Sequence, residues 1–279
     1  MKKALVILLT GAMMMAAVAC GGGNSTSSAP AAAAPAAETP AAEPEQPAEE
    51  PAETVAEEVE MFVPEEPMSY EDYMAAEIDS EVVIKGAVQA KQALYMHDDT
   101  SDANIYLQDE NGGAYFLYAL PCTEKEYEQI EVGNYLKVKG YKADFSGEVE
   151  VVDATWQFED GEYIAEAEDV TDLLGTEELI NKQNKFVMFK GVTVEPIGDD
   201  GAAYLYKWNG SGQEGDDLYF NVSVNGGSYQ FTVESNLCGP DTEIYKAVKD
   251  FKVGDVVDLE GFLYWYEGPN PHITAVLAQ

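Results

Sequence analysis

The chain has 279 residues, with 52 acidic side chains against 15 basic ones and a formal charge of −37. All 15 bases are lysine, so the planar, bidentate grip of arginine on phosphate is missing. Phosphate backbones are bound largely through Lys and Arg; this balance therefore disfavours nucleic acid and anionic lipid surfaces and suits cations, neutral sugars or a basic protein.

Residues 1–19 read as an export signal. Lys2 and Lys3 precede an apolar run from Ala4 through Met15, and the small residues Ala16, Ala17, Val18 and Ala19 lead to Cys20. A charged start, a short apolar stretch and a small-residue cleavage site describe a secretory signal, and the run is too short for a permanent spanning helix. Ala17-Val18-Ala19-Cys20 resembles the lipobox of bacterial lipoproteins, whose cysteine is acylated and becomes the mature N-terminus. The match departs at Ala17, where that family usually has Leu. The resemblance implies a chain outside the cytoplasm, anchored to a membrane by lipid such as palmitate on Cys20. More than one acyl chain gives firm anchoring.

Residues 20–67 are rich in Ala, Pro and Glu, with no large apolar side chain other than Val until Met61 and Phe62. Such a segment buries too little to offset its ordering entropy, and Pro and like-charged Glu extend it. It is predicted to be a disordered stalk. Beyond residue 67, 13 lysines face 41 acids, a net charge of −28.

Residues 68–279 repeat one pattern. Val82-Val83-Ile84-Lys85-Gly86 returns as Val187-Met188-Phe189-Lys190-Gly191, and Asn111-Gly112-Gly113-Ala114-Tyr115 as Asn225-Gly226-Gly227-Ser228-Tyr229. Cys122 returns as Cys238, and the Val132–Tyr141 stretch as Val253–Phe262. The landmarks divide the region into 68–168 and 169–279, each the size of a small domain. Helices are predicted over 69–77, with Ser69 and Asp72 spaced as a variant capping box, and over 176–182. Each unit then runs strand, long loop, hairpin at Asn-Gly, short helix (123–130 and 241–250) and two strands. The fold class is therefore all-β: two tandem five-stranded barrels, each with a short helix between strands three and four. That order resembles the OB-fold, a partly open Greek-key barrel that binds on strands two and three and the flanking loops.

Alternation places Ile105, Leu107, Tyr115, Leu117 and Ala119 inward, leaving Tyr106, Gln108, Phe116 and Tyr118 as an aromatic outer face. In the second unit Leu218, Phe220, Val222, Tyr229, Phe231 and Val233 point inward and Tyr219, Asn221, Gln230 and Thr232 outward. Its two long loops carry Tyr204, Tyr206 and Trp208, and Tyr264, Trp265 and Tyr266, among carboxylates and amides. These aromatics, with Tyr106, Phe116 and Tyr118, are the candidate ligand residues; the alternative is that they pack one unit against the other.

Acids gather in the first loops (Asp98, Asp99, Asp102; Asp199, Asp200, Asp216, Asp217), without EF-hand spacing, so no metal site is assigned. No cofactor is called for. Cys122 and Cys238 could form a disulfide in an exported protein or remain buried thiols. His97 and His272 lie far apart, with no nucleophile elbow, metal-spaced His pair or phosphate loop, so no catalytic residue is assigned. The expected function is a non-enzymatic, surface-anchored binding module for a glycan or basic protein. The alternatives are an OB-type nucleic-acid binder and a structural envelope spacer. Mass spectrometry of the mature N-terminus is expected to find an acylated Cys20 as residue one; a free thiol or another start would remove the anchor.

Overall fold

Period-two alternation and tight Asn-Gly turns produce antiparallel strands, and a computed structural model of the chain shows how they close. It describes Val63 and residues 65–277; Cys20, the signal and residues 21–62 lie outside the described residues. The first barrel is built from β1 (Glu81–Lys91), the short β2 (Tyr95–Met96), β3 (Ser101–Gln108), β4 (Ala114–Pro121), β5 (Asn134–Phe145) and β6 (Glu148–Glu162). β1 pairs with both β3 and β5, which closes the sheet in the cyclic order β1-β3-β4-β6-β5. The β4–β6 pairing is parallel and the others antiparallel. The second barrel follows the same plan with β8 (Phe186–Glu195), β10 (Leu218–Val224), β11 (Gly227–Val233), β12 (Val256–Phe262) and β13 (His272–Leu277), flanked by the short strands β7 (Glu168–Asp169) and β9 (Leu205–Tyr206). Here β11–β13 is the parallel pair. This is the five-stranded OB arrangement, twice.

The helices sit where their caps put them. Ser69 caps α1 (Tyr70–Ala75), accepting from the Asp72 N–H. Thr123 and Glu126 form a full capping box on α2 (Glu124–Gln129), and Thr242 caps α3 (Glu243–Lys249). α1 is short and stoppers the first barrel: Tyr73 is fully buried. Its last carbonyls, Tyr73, Met74 and Ala76, each accept a hydrogen bond from Lys142 Nζ at 2.8–2.9 Å. The ammonium there serves as the missing donor for a helix C-terminus, and desolvation pulls its pKa below the usual lysine value. The stretch 177–182 is a 3₁₀ helix, without a side-chain cap.

Residues at the end of the expected stalk are ordered. Val63 is buried and its N–H donates to Gln157 Oε1 at 2.7 Å. Glu65 meets Lys139 at 2.6 Å, and the Met68 N–H donates to the Val83 carbonyl. Apolar and paired side chains return at Val63, and the chain docks there.

The strand faces follow the alternation, with one instructive slip. The β10–β11 hairpin has the two-residue Asn225-Gly226 turn, both residues at positive φ, as the twist of a tight hairpin demands. The β3–β4 hairpin, for which the sequence suggests a three-residue Asn111-Gly112-Gly113 loop, has five loop residues: Gln108 faces Ala114, and Asp109 accepts the N–H groups of Asn111 and Gly113. The register moves by two residues, so Ile105, Leu107, Tyr115 and Leu117 keep their inward face. Ala119 does not. A bulge at Tyr118-Ala119, held by the Ala119 N–H donating to Asn104 Oδ1 (2.8 Å), turns Leu120 inward in its place.

Two glycines of the repeated stretch have a physical reason in both barrels. Gly133 and Gly254 take φ of +98° and +94°, and their N–H groups donate to the Val88 and Val194 carbonyls. Gly140 and Gly261 sit at bulges on β5 and β12, where a Cβ would lie 2.7 Å from the Val152 carbonyl oxygen and 2.2 Å from the His272 carbonyl oxygen. Gly261→Ala and Gly140→Ala are expected to cost about 2 kcal/mol or more, because backbone must move. Gly239→Ala, whose Cβ meets nothing closer than 3.4 Å, should stay within about 0.5 kcal/mol. Urea denaturation of the three variants checks this.

Candidate functional site

The structure divides the sequence-predicted aromatics into three groups. Tyr106 and Phe116, on the outer face of β3 and β4, are 0% and 2% exposed. They present no ligand surface, because the second barrel covers them. Tyr106 stacks on Phe262 (centroids 4.4 Å apart, planes at 16°), and Phe116 meets the edge of Tyr264 at 5.5 Å. Tyr106 Oη lies 3.0 Å from Nδ1 of the buried His272. Burial lowers that imidazole to about 3, so it is neutral, a packing and hydrogen-bonding residue. Backbone and amide contacts fix the same junction. Gln108 Oε1 accepts from the Phe186 N–H, Gln183 Oε1 from the Val149 N–H, and the Ser146 carbonyl from the Glu267 N–H.

The second group lies on the loop between β8 and β10. Tyr204 and Tyr206 meet edge to face at 5.5 Å and pack on the second core. Trp208 is 68% exposed. Beside this loop the outer ladder of β10 and β11 is polar and partly open: Asn221 faces Gln230 and Ser223 faces Ser228, with Glu195 of β8 next to Asn221 and accepting the Ser223 hydroxyl. Tyr219 flanks it, its hydroxyl pushed up to about 12 by burial and by Asp217 and Glu234. Thr232, expected outward and accessible, faces outward but is buried, its hydroxyl donating to Asn270 Oδ1.

The third group rims the junction. Tyr118 and Tyr266 are half exposed; Tyr264 stacks on His272 at 4.5 Å, and Trp265 lies against Gly147 of the first barrel. Sequence reasoning missed the residues they meet. Phase alternation on β5 and β6 puts Tyr141, Ala143 and Phe145 beside Val152, Glu150 and Glu148. That signal was readable, had the last hairpin been assigned faces. Phe145 packs on Tyr266 at 5.8 Å.

Glu148 has no exposed surface. Its Oε2 accepts from the Trp265 N–H at 2.8 Å, while Oε1 and the nearby Asn184 Oδ1 are both buried acceptors without a donor. Burial raises the Glu148 pKa to about 8, against smaller opposing contributions from Asn184 and Trp265. Glu150, nearly buried, is pushed up to about 7 by burial and Asp144.

The acids of the long loops serve turns. Asp217 accepts from the Ser235 N–H and hydroxyl, Asp216 from the Gln213 N–H, and Asp200 from the Ala202 N–H. Asp102 meets His97 Nε2 at 2.6 Å, beside a shallow hollow of ≈ 500 Å³ lined by Met96, Asp98, Asp99 and Cys122. Cys122 and Cys238 are both free and buried, which corrects the disulfide reading. Each thiol belongs to the core of its own barrel, and burial raises both to about 11. Among the described residues no group of three His, Cys, Asp or Glu is placed to hold a metal, and no helix is long and apolar enough to cross a membrane.

No protein-family model and no curated protein matches the sequence. The chain is similar to solved structures of barrel proteins at low identity. One is a replication protein A heterotrimer bound to ssDNA (13% identity, 77% of this chain and 69% of that one, TM-score 0.28). Another is an Ifi202 HINa domain in complex with 20-bp dsDNA (9%, 69% and 94%, 0.33). A third is p202 HIN1 in complex with 12-mer dsDNA (9%, 70% and 89%, 0.34). Overlays this loose transfer no ligand to this chain. They do correct one expectation: net acidity was read as disfavouring nucleic acid, yet the chain is similar to barrels solved on single- and double-stranded DNA.

The state of Glu148 is testable. Its folded pKa of about 8 exceeds the ordinary 4.5, so the folded chain holds a proton that the unfolded chain releases between those values. Its contribution is intact below about pH 4.5 and is lost as pH rises through about 8; Glu150 adds the same sign up to about 7. Glu148→Gln should match the wild type near pH 5 and exceed it at pH 9 by about 2 kcal/mol or more. Denaturant titrations at pH 5, 7 and 9 measure it; a variant weaker at pH 9 would mean that the carboxylate is the structural form.

Proposed function

We propose that the chain is a non-enzymatic binding module whose ligand face is on the second barrel. The observation that carries this is the occlusion of one OB face and the openness of the other. The face formed by Tyr106 and Phe116 is filled by Phe262, Tyr264 and His272, whereas Ser228 and Gln230 on the corresponding face of the second barrel are exposed and Trp208, on the neighbouring loop, is 68% exposed. OB faces take oligosaccharides and oligonucleotides. A row of amides and hydroxyls with one carboxylate, Glu195, supports an oligosaccharide, whose hydroxyls hydrogen-bond there, and the exposed indole of Trp208 offers a ring on which a C–H face can stack. Single-stranded nucleic acid is the second reading, supported by base stacking on OB aromatics and by the barrel plan itself. The spacer reading rests on Tyr204, Trp208 and Trp265 packing between the barrels; Trp265 does meet Gly147 and Glu148 of the first barrel, whereas Trp208 is exposed. We further propose that Cys20 carries the lipid that holds the module outside the cytoplasm.

The test is a glycan array and a dT20 titration on the same protein at low and high salt. Glycan binding independent of salt supports the first reading; dT20 binding that falls steeply with salt supports the second. In either case Trp208→Ala should weaken binding about tenfold, in line with the usual cost of losing one stacking platform, and Gln230→Ala less. A ligand held equally well by both variants would remove the face from consideration.

A further inference from the structure

The junction rim holds a second surface, distinct from the ladder of the second barrel. The register of β4, β5 and β6 sets out its floor. On one outer face Tyr141 pairs with Val152, Ala143 with Glu150 and Phe145 with Glu148, while Phe116 lies beside Glu150 on the other side. Glu150 is thus central, with a methyl group on one flank and a buried ring on the other. Aromatic side chains stand around it. Tyr118, Tyr141 and Phe145 rise from the first barrel and are 50%, 44% and 52% exposed. Tyr266, 49% exposed, leans on Phe145 from the second barrel.

Four large aromatic surfaces left to solvent in one patch need a reason, and so does the carboxylate they surround. Glu150 is only 6% exposed. Among the described residues it has no ion pair and no side-chain hydrogen bond, although most lysines of the chain are paired with carboxylates elsewhere. A desolvated carboxylate without a cation is costly. Aromatic faces carry negative potential and attract cations, alkylated ammonium most of all, because it sheds its weak hydration easily.

We propose that Tyr118, Tyr141, Phe145 and Tyr266 form an open aromatic cage over Glu150 that binds an alkylated ammonium ion. The ion packs its methyl groups on the rings while the carboxylate supplies the counter-charge. Sodium or ammonium gains less, since neither offers apolar surface to the rings. The site needs both barrels, because Tyr266 comes from the β12–β13 loop and the other residues from the first barrel.

Binding is linked to protons. Glu150 is raised to about 7 by burial and by Asp144, and a bound cation favours its charged form. The other groups facing it are Glu148 on β6, Tyr264 and Tyr266 from the second barrel, Tyr118 on β4 and Tyr73 from α1. Burial pushes the Tyr73 and Tyr264 hydroxyls up, and Glu148 turns to Trp265. Affinity should therefore rise between pH 6 and 8.

The experiment is calorimetric titration of the full-length protein with tetramethylammonium chloride, against sodium chloride at equal ionic strength. Saturable binding at millimolar concentration, absent with sodium and several-fold tighter at pH 8 than at pH 6, is the expected result. Tyr266→Ala should weaken it at least fivefold, Tyr266→Phe should retain it, and Glu150→Gln should weaken it and flatten its pH dependence. Near-UV circular dichroism confirms that each variant keeps the packed junction. No saturable heat, an equal response to sodium, or binding indifferent to both Tyr266→Ala and Glu150→Gln overturns the proposal. None of these outcomes bears on Trp208 and the ladder of the second barrel, so the two sites fail or stand separately.

Discussion

The structure depends on the docking of the second barrel onto the outer face of β3 and β4. Tyr106, Phe116 and Phe262 form a small core of their own there. Burying a large apolar side chain contributes about 1.5–3 kcal/mol, and a well-oriented aromatic pair about 0.5–1.5 kcal/mol more. Polar groups trapped by that burial, Tyr106 Oη, His272 Nδ1, the Trp265 N–H and Gln108 Oε1, find partners across the junction. An unmade bond in such a place costs more than a made one contributes, so these contacts define one register between the barrels.

That docking makes two copies of one backbone plan unequal. The repeated glycines keep the same positive φ and the same bulges in each copy, so the barrels close alike. Their outer faces differ: Tyr106 and Phe116 on β3 and β4, Asn221, Gln230, Ser223 and Ser228 on β10 and β11. An apolar face in water must be covered, and here the neighbouring copy covers it. A polar ladder has no such requirement. The division of labour between the barrels therefore follows from the residues of four strands.

This also explains what could be read from sequence. Strand faces obey a local period, so Leu107, Leu117, Phe220 and Phe231 were assigned inward from alternation, and even the two-residue slip at Asp109 left parity intact. The capping residue Ser69 acts within three residues of itself and was equally visible. What covers an outward aromatic depends on a partner far along the chain: Tyr106 meets His272 across 166 positions, and no periodicity reports that. Cys122 and Cys238 illustrate the same limit, since equivalence in a repeat describes place within a barrel and not distance between barrels. Alternation puts Glu148 and Glu150 on one strand face, but among the 52 acids of the chain nothing local marks these two as buried, because the residues that cover them belong to the second barrel.

The acid surplus itself sorts into three physical states. Some carboxylates are paired: Glu168 holds Lys182 and Lys185, and Glu159 holds Lys85 and Lys137. Exposed pairs of this kind contribute little to stability, but they leave few lysines uncommitted. Others, Asp109, Asp200, Asp216 and Asp217, accept backbone N–H groups and shape turns. Glu148 and Glu150 alone combine deep burial with strongly raised pKa values close to neutrality. They also sit where the barrels meet. A shift that would be inconsequential on a loop therefore acts on the contact that sets the relative placement of both barrels. The local state of these two carboxylates marks where the folded chain responds to a proton.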